Sequence, residues 1–496
     1  MKFVQSTVAS ALCLLLSVSA HANQHSIVIE PQELPNLHPM SALYRPAKRL
    51  AHGQPLLAKS NRYFRIGVQA LNAGRYAEAI DDFSEVLSLR RNTAALIDRG
   101  FAYRSLGNQP AAIANYTAAL AANPRSTNAL VGRGSAYALI GQYDQAIADY
   151  DSALALEPAN TNAHTGRAYV WAHRKQYERV GDEYLLVARQ LSTSTQAYEK
   201  AGVWYAEAKR YDQAIAAYGE AIRLDPTVAA SYVRRARAYR QAGDFAAAVA
   251  DYGAAIRIDP ANTAARWGRG LAFEGMGNYQ AAADDYGAIE RLTPHDHSAY
   301  VYRADDLVEV GRDDEARSEY EIASRMAPND MELRYGRMQF SFYQHEYEAV
   351  ISDTDAWLSA KPTNMEPEHY QHDMYYVLIW RHMAAQRLGL DDHAMLARAA
   401  LQLDHRKWPY PIIAFYLGQT AEGDVRKEAA KADETTVRGQ RCEMGAYLGE
   451  YAAANGREDV AKQEFGEALP LCPANFIERN FVRRGLATLD VLTTLR

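Results

Sequence analysis

The sequence has few cysteines, no block of basic residues and no catalytic signature. Only 3 of its 496 residues are cysteine, and the net charge is −6 without a Lys- or Arg-rich segment. That charge balance argues against nucleic acid as the main partner. Neither a GxxxxGKS phosphate loop nor a GxSxG nucleophile motif occurs. These absences predict a protein that is not an enzyme and that needs no cofactor.

Long apolar runs are also missing, apart from a short one near the N-terminus. The segment 1–22 has a basic start, an apolar stretch over 8–18 and a small-x-small sequence ending at Ala22. This order predicts a secretory signal peptide that is cleaved after Ala22. Its apolar stretch is too short to span a bilayer. Cys13 lies inside that stretch, away from the cleavage point, so we predict no lipid anchor. The mature protein is expected in the periplasm or outside the cell, without a membrane span.

A spacing of 34 residues dominates what is present. Prolines stand at positions 124, 158, 226, 260, 294, 328 and 362, and tyrosines at 116, 150, 184, 218, 252, 286 and 320. Glycine or alanine recurs in the same phase. This order is typical of tetratricopeptide (TPR) repeats, which the chain resembles over 60–364 and 442–475. The resemblance implies an all-α fold: a right-handed superhelix (α-solenoid) of about ten to eleven helix pairs with a C-terminal capping helix.

The repeat spacing also predicts the segments of the chain. Of nine repeat units, the fourth (161–194) and the ninth (331–364) depart from the consensus. The expected segments are a signal peptide (1–22), an extended proline-containing arm (23–59), the TPR array (60–364), a longer helical pair (365–403), a junction with short helices (404–441), a terminal repeat (442–475) and a capping helix (476–496).

The junction contains the unusual sequence DHRKWPYPIIAFYLGQ, residues 404–419. Proline is poor inside a helix and good at its start. We therefore predict an extended segment from Lys407 to Tyr410, then a short helix from Pro411 to about Leu417. The aromatic side chains are expected to pack against the last regular repeats, with partner docking as the alternative.

An arginine in most repeats is followed sixteen residues later by an acidic residue. In one repeat both members are missing, and Ala201 and Ala217 take their places. Joint loss indicates an ion pair between the two helices, since either member alone would be a partly buried unpaired charge. A row of arginines that binds anions is the alternative. The predicted pairs include Arg133–Asp149, Arg235–Asp251, Arg269–Asp285, Arg303–Glu319 and Arg337–Asp353.

The TPR resemblance also implies a concave groove that binds segments of other proteins. Five positions of each first helix face this groove in the family. The side chains at these positions mix aromatic groups with charges of both signs, and ordinary solvated surface is the alternative for each. They include Phe101, Arg104, Tyr169, His173, Glu199, Glu207, Arg237, Arg240, Trp267, Glu274, Asp305 and Glu309.

The C-terminal block adds a second resemblance. FYLGQTAEG (415–423) and the segment from CEMGAYLGEY to ERNF (442–481) are similar to NlpI-like TPR proteins of the Gram-negative envelope. The resemblance implies an adaptor that docks envelope proteins such as peptidoglycan hydrolases or a protease, and that can form a homodimer. This chain departs from that family in lacking a lipidation motif and in having more repeats.

Two other functions remain open from the sequence. Long periplasmic TPR arrays also serve as subunits of exopolysaccharide secretion machines. In a different class, His369 and His372 share a helix face near Asp373 and could hold a metal ion, either as a binding site or as part of an enzyme. Solvated surface histidine is the alternative to that site.

Signal cleavage leaves only Cys442 and Cys472, which occupy repeat positions 1 and 31 of the terminal repeat. These positions should be neighbours because the second helix runs back beside the start of the first. In an oxidising compartment the pair predicts a disulfide bond. Two buried free thiols are the alternative.

Overall fold

The computed structural model describes residues 55–191, 193–360, 367–431, 434–473 and 477–494. These residues form 25 α-helices and no strand, so the predicted all-α fold is confirmed. They divide into two compact units, one ending at Ile258 and the other beginning at Asp259. The predicted signal peptide and residues 23–54 of the arm lie outside the described residues.

The N-terminal unit contains six helix pairs in which each helix packs on the next. The helices are α1 (Pro55–Asn72), α2 (Tyr76–Leu89), α3 (Thr93–Ser105), α4 (Gln109–Ala122), α5 (Thr127–Leu139), α6 (Tyr143–Leu156), α7 (Thr161–His173), α8 (Tyr177–Gln190), α9 (Thr195–Glu207), α10 (Tyr211–Leu224), α11 (Ala229–Ala242) and α12 (Phe245–Ile258).

The C-terminal unit begins with three more regular pairs and ends with helices of unequal length. The helices are α13 (Thr263–Gly275), α14 (Tyr279–Leu292), α15 (His297–Glu309), α16 (Asp313–Met326), α17 (Met331–Tyr343), α18 (Tyr347–Ser359), α19 (Pro367–Arg387), α20 (His393–Ala400), α21 (Tyr410–Tyr416), α22 (Glu422–Glu428), α23 (Glu434–Ala454), α24 (Glu458–Ala468) and α25 (Ile477–Thr494). None of the described helices is long and apolar enough to cross a membrane.

Local signals fix where each helix begins and ends. After α6, Pro158 cannot continue the helix, and Asn160 then caps α7 by accepting a hydrogen bond from the Ala163 N–H at 3.0 Å. Within a repeat, Gly141 takes a left-handed conformation (φ 74°) that reverses the chain between α5 and α6. The proline, the cap and the turn recur with the repeat and therefore fix its length.

The recurring tyrosine fills the space between successive repeats. Tyr150 on α6 is fully buried and lies between Gly134 on α5 and Gly166 on α7. A Cβ atom at position 166 would come within 2.4 Å of the Tyr150 ring. The small residues in the 34-residue pattern are therefore required for the close approach of one repeat to the next.

The structure corrects three predicted boundaries. Residues 55–59, expected to end the extended arm, belong to α1. The segment from Lys407 to Pro409 lies in turns and is not extended, with a cis peptide bond before Pro409, and α21 already begins at Tyr410. Helix α23 starts at residue 434, eight residues before the predicted terminal repeat. The 34-residue spacing predicted the regular repeats. The three corrected boundaries lie in parts of the chain where this spacing is absent.

Candidate protein-binding groove

The arginines of the predicted pairs lie against their acidic partners on the second helix of the same repeat. The Arg235 guanidinium donates two hydrogen bonds to Asp251, at 2.6 and 2.8 Å. Arg303 donates through one nitrogen to both Glu290 and Glu319, at 2.7 Å each. Two-bond contacts of the Arg235 type also occur at Arg133–Asp149, Arg269–Asp285 and Arg337–Asp353. In the exceptional repeat, Ala201 and Ala217 are both buried.

We predict that Arg235→Ala lowers the free energy of unfolding by about 2 kcal/mol, because it leaves the Asp251 carboxylate nearly buried and unpaired. Arg235 keeps part of its surface in water, which limits the loss. The double variant Arg235→Ala/Asp251→Ala reproduces the alanine pair of the exceptional repeat and should recover part of the stability. Urea unfolding measures both variants, and a double variant less stable than the single one would contradict the ion pair.

The variant Arg269→Ala provides a comparison for the stability loss of Arg235→Ala. The Arg266 guanidinium lies 3.7 Å from Asp285 and can partly replace the lost partner. We therefore expect a smaller loss for Arg269→Ala than for Arg235→Ala. Equal losses would show that the neighbouring arginine does not compensate.

In the N-terminal unit, the groove positions are unequally accessible. The Arg104 guanidinium lies 5.2 Å from the Phe101 ring centre, and both side chains are half-buried. His173 is exposed and packs against Tyr169, with ring centres 4.4 Å apart. Tyr169 itself is only 7% exposed. It therefore supports the groove and, contrary to its predicted place on the binding surface, offers little surface to a partner.

The other groove positions of this unit carry charges of both signs. Glu199 accepts a hydrogen bond from the Ser231 hydroxyl at 2.6 Å and pairs with Arg234 at 2.9 Å. Glu207 and Arg237 are exposed, and Arg240 is half-buried. This part of the groove therefore has no single charge preference.

In the C-terminal unit, the groove has an aromatic and acidic surface. Trp267 lies 4.9 Å from Tyr286 and 5.1 Å from Tyr302, measured between ring centres. The Tyr286 hydroxyl donates to Glu274, and the Tyr320 hydroxyl donates to Asp305. Burial, reinforced by neighbouring carboxylates, raises the pKa of Asp305 to about 7 against the opposing effect of the tyrosine bond. Acidic groups thus lie beside buried aromatic rings.

The C-terminal helix α25 packs onto this groove as well as onto the last repeat. The Arg484 guanidinium binds Asp313 at 2.8 and 2.9 Å and the Val308 carbonyl oxygen at 2.8 Å, and it lies 5.1 Å from the Tyr343 ring centre. Arg483 donates to the Glu309 carbonyl oxygen at 3.3 Å. These carbonyls end α15, where the helix dipole favours a cation.

An aromatic cluster fixes α25 in this position. The Phe481 ring centre lies 5.3 Å from Trp380 and within 6.5 Å of Phe342, Tyr343 and Tyr447. The sequence predicted a helix that covers the open end of the array. It did not predict contacts with groove positions on α15 and α17, more than 130 residues earlier. The one available signal was the placement of Phe481 and Arg484, three residues apart, on one face of α25.

The junction packs into the core of the C-terminal unit. Trp408 is half-buried, and its indole N–H donates to Glu443 at 2.6 Å. The Tyr376 hydroxyl donates to the same carboxyl group at 3.1 Å, and Tyr447 donates to the nearby Glu478 at 2.7 Å. Burial, and then the charge of Glu478, raise the pKa of Glu443 to about 8. The junction thus closes over a buried pair of carboxyl groups.

The structure places Cys442 and Cys472 together. Both are fully buried, their Cα atoms are 4.9 Å apart and their sulfur atoms lie within bonding distance. The two residues belong to α23 and to the turn after α24. Their position makes a covalent connection between these two segments geometrically available.

The histidines near the junction do not gather into a metal site in the described part of the chain. No group of three or more His, Cys, Asp or Glu side chains there could hold a metal ion. The His372 ring packs 5.2 Å from the Tyr376 ring, and burial lowers the pKa of this imidazole to about 4. The same burial effect raises the pKa of Asp373 to about 7. These shifts follow from burial beside the aromatic core.

Comparison with known proteins identifies the repeats. Models described as tetratricopeptide repeat match residues 64–126, 127–160 and 195–228, and a model described as TPR repeat matches 236–277. The chain contains tetratricopeptide repeats. These TPR segments agree with the helix pairs of the N-terminal unit, and the last one extends into α13.

Two curated relatives and two solved structures illustrate the similarity. Photosystem I assembly protein Ycf3 of Synechococcus sp. (strain WH7803) is 40% identical over 70 residues, which cover 13% of this chain and 39% of that protein. Ycf3 of Prochlorococcus marinus is 34% identical over 89 residues, covering 16% and 50%. The chain therefore spans half or less of the length of these relatives.

The structural similarities are spread over more of the chain. A tetratricopeptide repeat protein from Parabacteroides merdae is 19% identical and covers 50% of this chain and 98% of its own, with a TM-score of 0.32. YrrB, a TPR protein with an unusual peptide-binding site, is 17% identical and covers 37% and 94%, with a TM-score of 0.31.

Proposed function

We propose that this protein is a non-catalytic TPR scaffold of the bacterial envelope that binds other proteins through its grooves. The observation that carries the proposal is the packing of α25, in which Phe481 and Arg484 lie against groove positions of the C-terminal unit. A surface that holds a helix of its own chain has the aromatic and charged groups that hold a helix of another. TPR repeats are known for this use.

The envelope location rests on the N-terminal sequence and on the cysteine pair. A signal peptide that ends at Ala22 would export the chain, and the oxidising compartment would then favour a bond between Cys442 and Cys472. The C-terminal resemblance to NlpI-like proteins makes peptidoglycan hydrolases or a protease the first candidate partners. Cell fractionation with mass determination of the mature N-terminus tests the location.

Affinity capture of the full chain from envelope extracts tests the binding function. We expect at least one hydrolase or protease to be retained, and to be retained more strongly when Phe481→Ala and Arg484→Ala displace α25, because the groove positions that it covers are then open. An Arg438→Ala variant provides the control, because Arg438 is exposed and donates only to carbonyl groups after α24. A capture experiment that retains no envelope protein would refute the proposal.

A further inference from the structure

We propose that the groove of the C-terminal unit binds a segment of a partner protein that carries arginine or lysine side chains. This inference rests on the protein-binding function proposed above and adds the chemistry of the partner. The surface concerned, called the acidic floor, lies on α13 and α15, next to the position of α25. It consists of Glu274, Asp305, Asp306 and Glu309.

The acidic floor brings like charges together. Asp306 is 3% exposed, and its Oδ2 atom has no hydrogen-bond partner among the described residues. Beyond burial itself, the groups that raise its pKa are Glu274, Asp305 and Glu309, all of them carboxyl groups. Carboxyl groups held together in a buried place are costly to ionise, and a nearby cation removes much of that cost. The arrangement therefore favours a cationic ligand.

The arginines of α25 interact with the acidic floor at one edge, which is Glu309. Arg483 and Arg484 lower the pKa of Glu309, and Asn480 donates a hydrogen bond to its side chain. The largest charge effects on Asp305 come instead from Glu332, Glu274 and Glu309. The carboxyl groups of the acidic floor nearer α13 thus interact with one another, and a basic segment would favour their ionised form.

Arg484 shows how such a segment would be held. This side chain combines a carboxylate, a helix-end carbonyl oxygen and the face of Tyr343. One repeat earlier, the half-buried Glu274 accepts a hydrogen bond from Tyr286, and the half-buried Trp267 lies 4.9 Å from the same ring. An arginine of a partner would find a carboxylate and an accessible ring there, since guanidinium groups both pair with carboxylates and stack on rings.

Peptide binding to the full chain tests the inference. The probes are fluorescein-labelled helical peptides of equal length that carry several arginines, or glutamine or glutamate in their place. Glu274→Gln/Asp306→Asn removes two acidic groups from the acidic floor and keeps acceptor oxygens. Glu199→Gln/Glu207→Gln removes two charges from the groove of the N-terminal unit and is the matched control. Urea unfolding verifies that both variants are folded.

We expect the arginine peptide to bind with an affinity that falls as salt rises, and to bind the floor variant about tenfold more weakly than the control variant. Equal affinity for both variants, or equal binding of the glutamate peptide, would overturn the inference. Light scattering tests whether the protein dimerises. A dimer that is lost in Glu274→Gln/Asp306→Asn would mean that the groove binds a second copy of this chain, and it would overturn the inference too.

The two proposals fail in different ways. Envelope partners that are retained equally by the wild-type chain and by Glu274→Gln/Asp306→Asn would overturn the inference and leave the scaffold function standing. A chain that retains no envelope protein, yet binds the arginine peptide through the acidic floor, would refute the scaffold function and support the chemistry of the groove.

Discussion

Replacing Glu443 with glutamine should make the protein more stable at about pH 9 and leave its stability at about pH 5 nearly unchanged. The Glu443 carboxyl group is fully buried beside Glu478, and its pKa rises from 4.5 to about 8. Trp408 and Tyr376 donate to one of its oxygens. Glutamine keeps an acceptor for these donors and removes the charge that forms at high pH.

The direction follows from proton binding. Between pH 4.5 and about 8 the folded chain holds a proton on Glu443 that the unfolded chain has lost, so the free energy of unfolding falls as pH rises. The stabilisation is complete below the unfolded pKa and is lost as pH approaches the folded one. At about 1.4 kcal/mol for each pH unit, the loss across this window is roughly 4 to 5 kcal/mol.

Urea unfolding at a series of pH values measures this difference. Several other carboxyl groups with raised pKa, such as Asp305 and Asp373, add to the slope in both proteins, so the contrast between wild type and Glu443→Gln is the relevant quantity. Glu467→Gln on the exposed face of α24 is the control and should follow the wild type. Parallel curves for wild type and Glu443→Gln would contradict the effect of burial.

Reduction of the Cys442–Cys472 pair should lower the free energy of unfolding by about 3–4 kcal/mol. The two residues are separated by 30 positions, and a bond between them removes much of the conformational freedom of that loop in the unfolded chain. The loss should appear in the last helix pair, which has fewer neighbouring repeats than the rest of the array.

Comparison of oxidised and reduced protein in urea measures this loss. The Cys442→Ser/Cys472→Ser variant should match the reduced wild type, and reductant should not change its stability further. Mass spectrometry of alkylated protein, isolated without reductant from the envelope, checks the bond directly. Two thiols that react with the alkylating reagent would contradict the predicted disulfide.

Much of the fold follows from local sequence patterns. The period of Pro158 and Tyr150 predicted the helix pairs because a proline, a cap and a buried ring act within one repeat or between neighbours. The missing arginine and acidic residue at Ala201 and Ala217 indicated that these two positions are close in space. Such relations are short-range and recur along the chain, so an alignment of the repeats with one another is enough to find them.

The groove of the C-terminal unit could not be predicted in the same way. The contacts of Arg484 with Asp313 and Val308 join positions 171 and 176 residues apart, and no period connects them. The buried state of Glu443 likewise depends on Trp408 and Tyr376, which approach it from the junction and from α19. Packing between distant parts of the chain forms both sites, and the 34-residue periodicity does not predict such contacts.

The reach of α25 also sets an order of assembly. Neighbouring repeats can pack as soon as a few consecutive helices are available. The contact of Arg484 with Asp313, at the start of α16, joins positions 171 residues apart and needs the chain as far as α25. A premature stop before α25 would therefore affect the middle of the chain as well as its end.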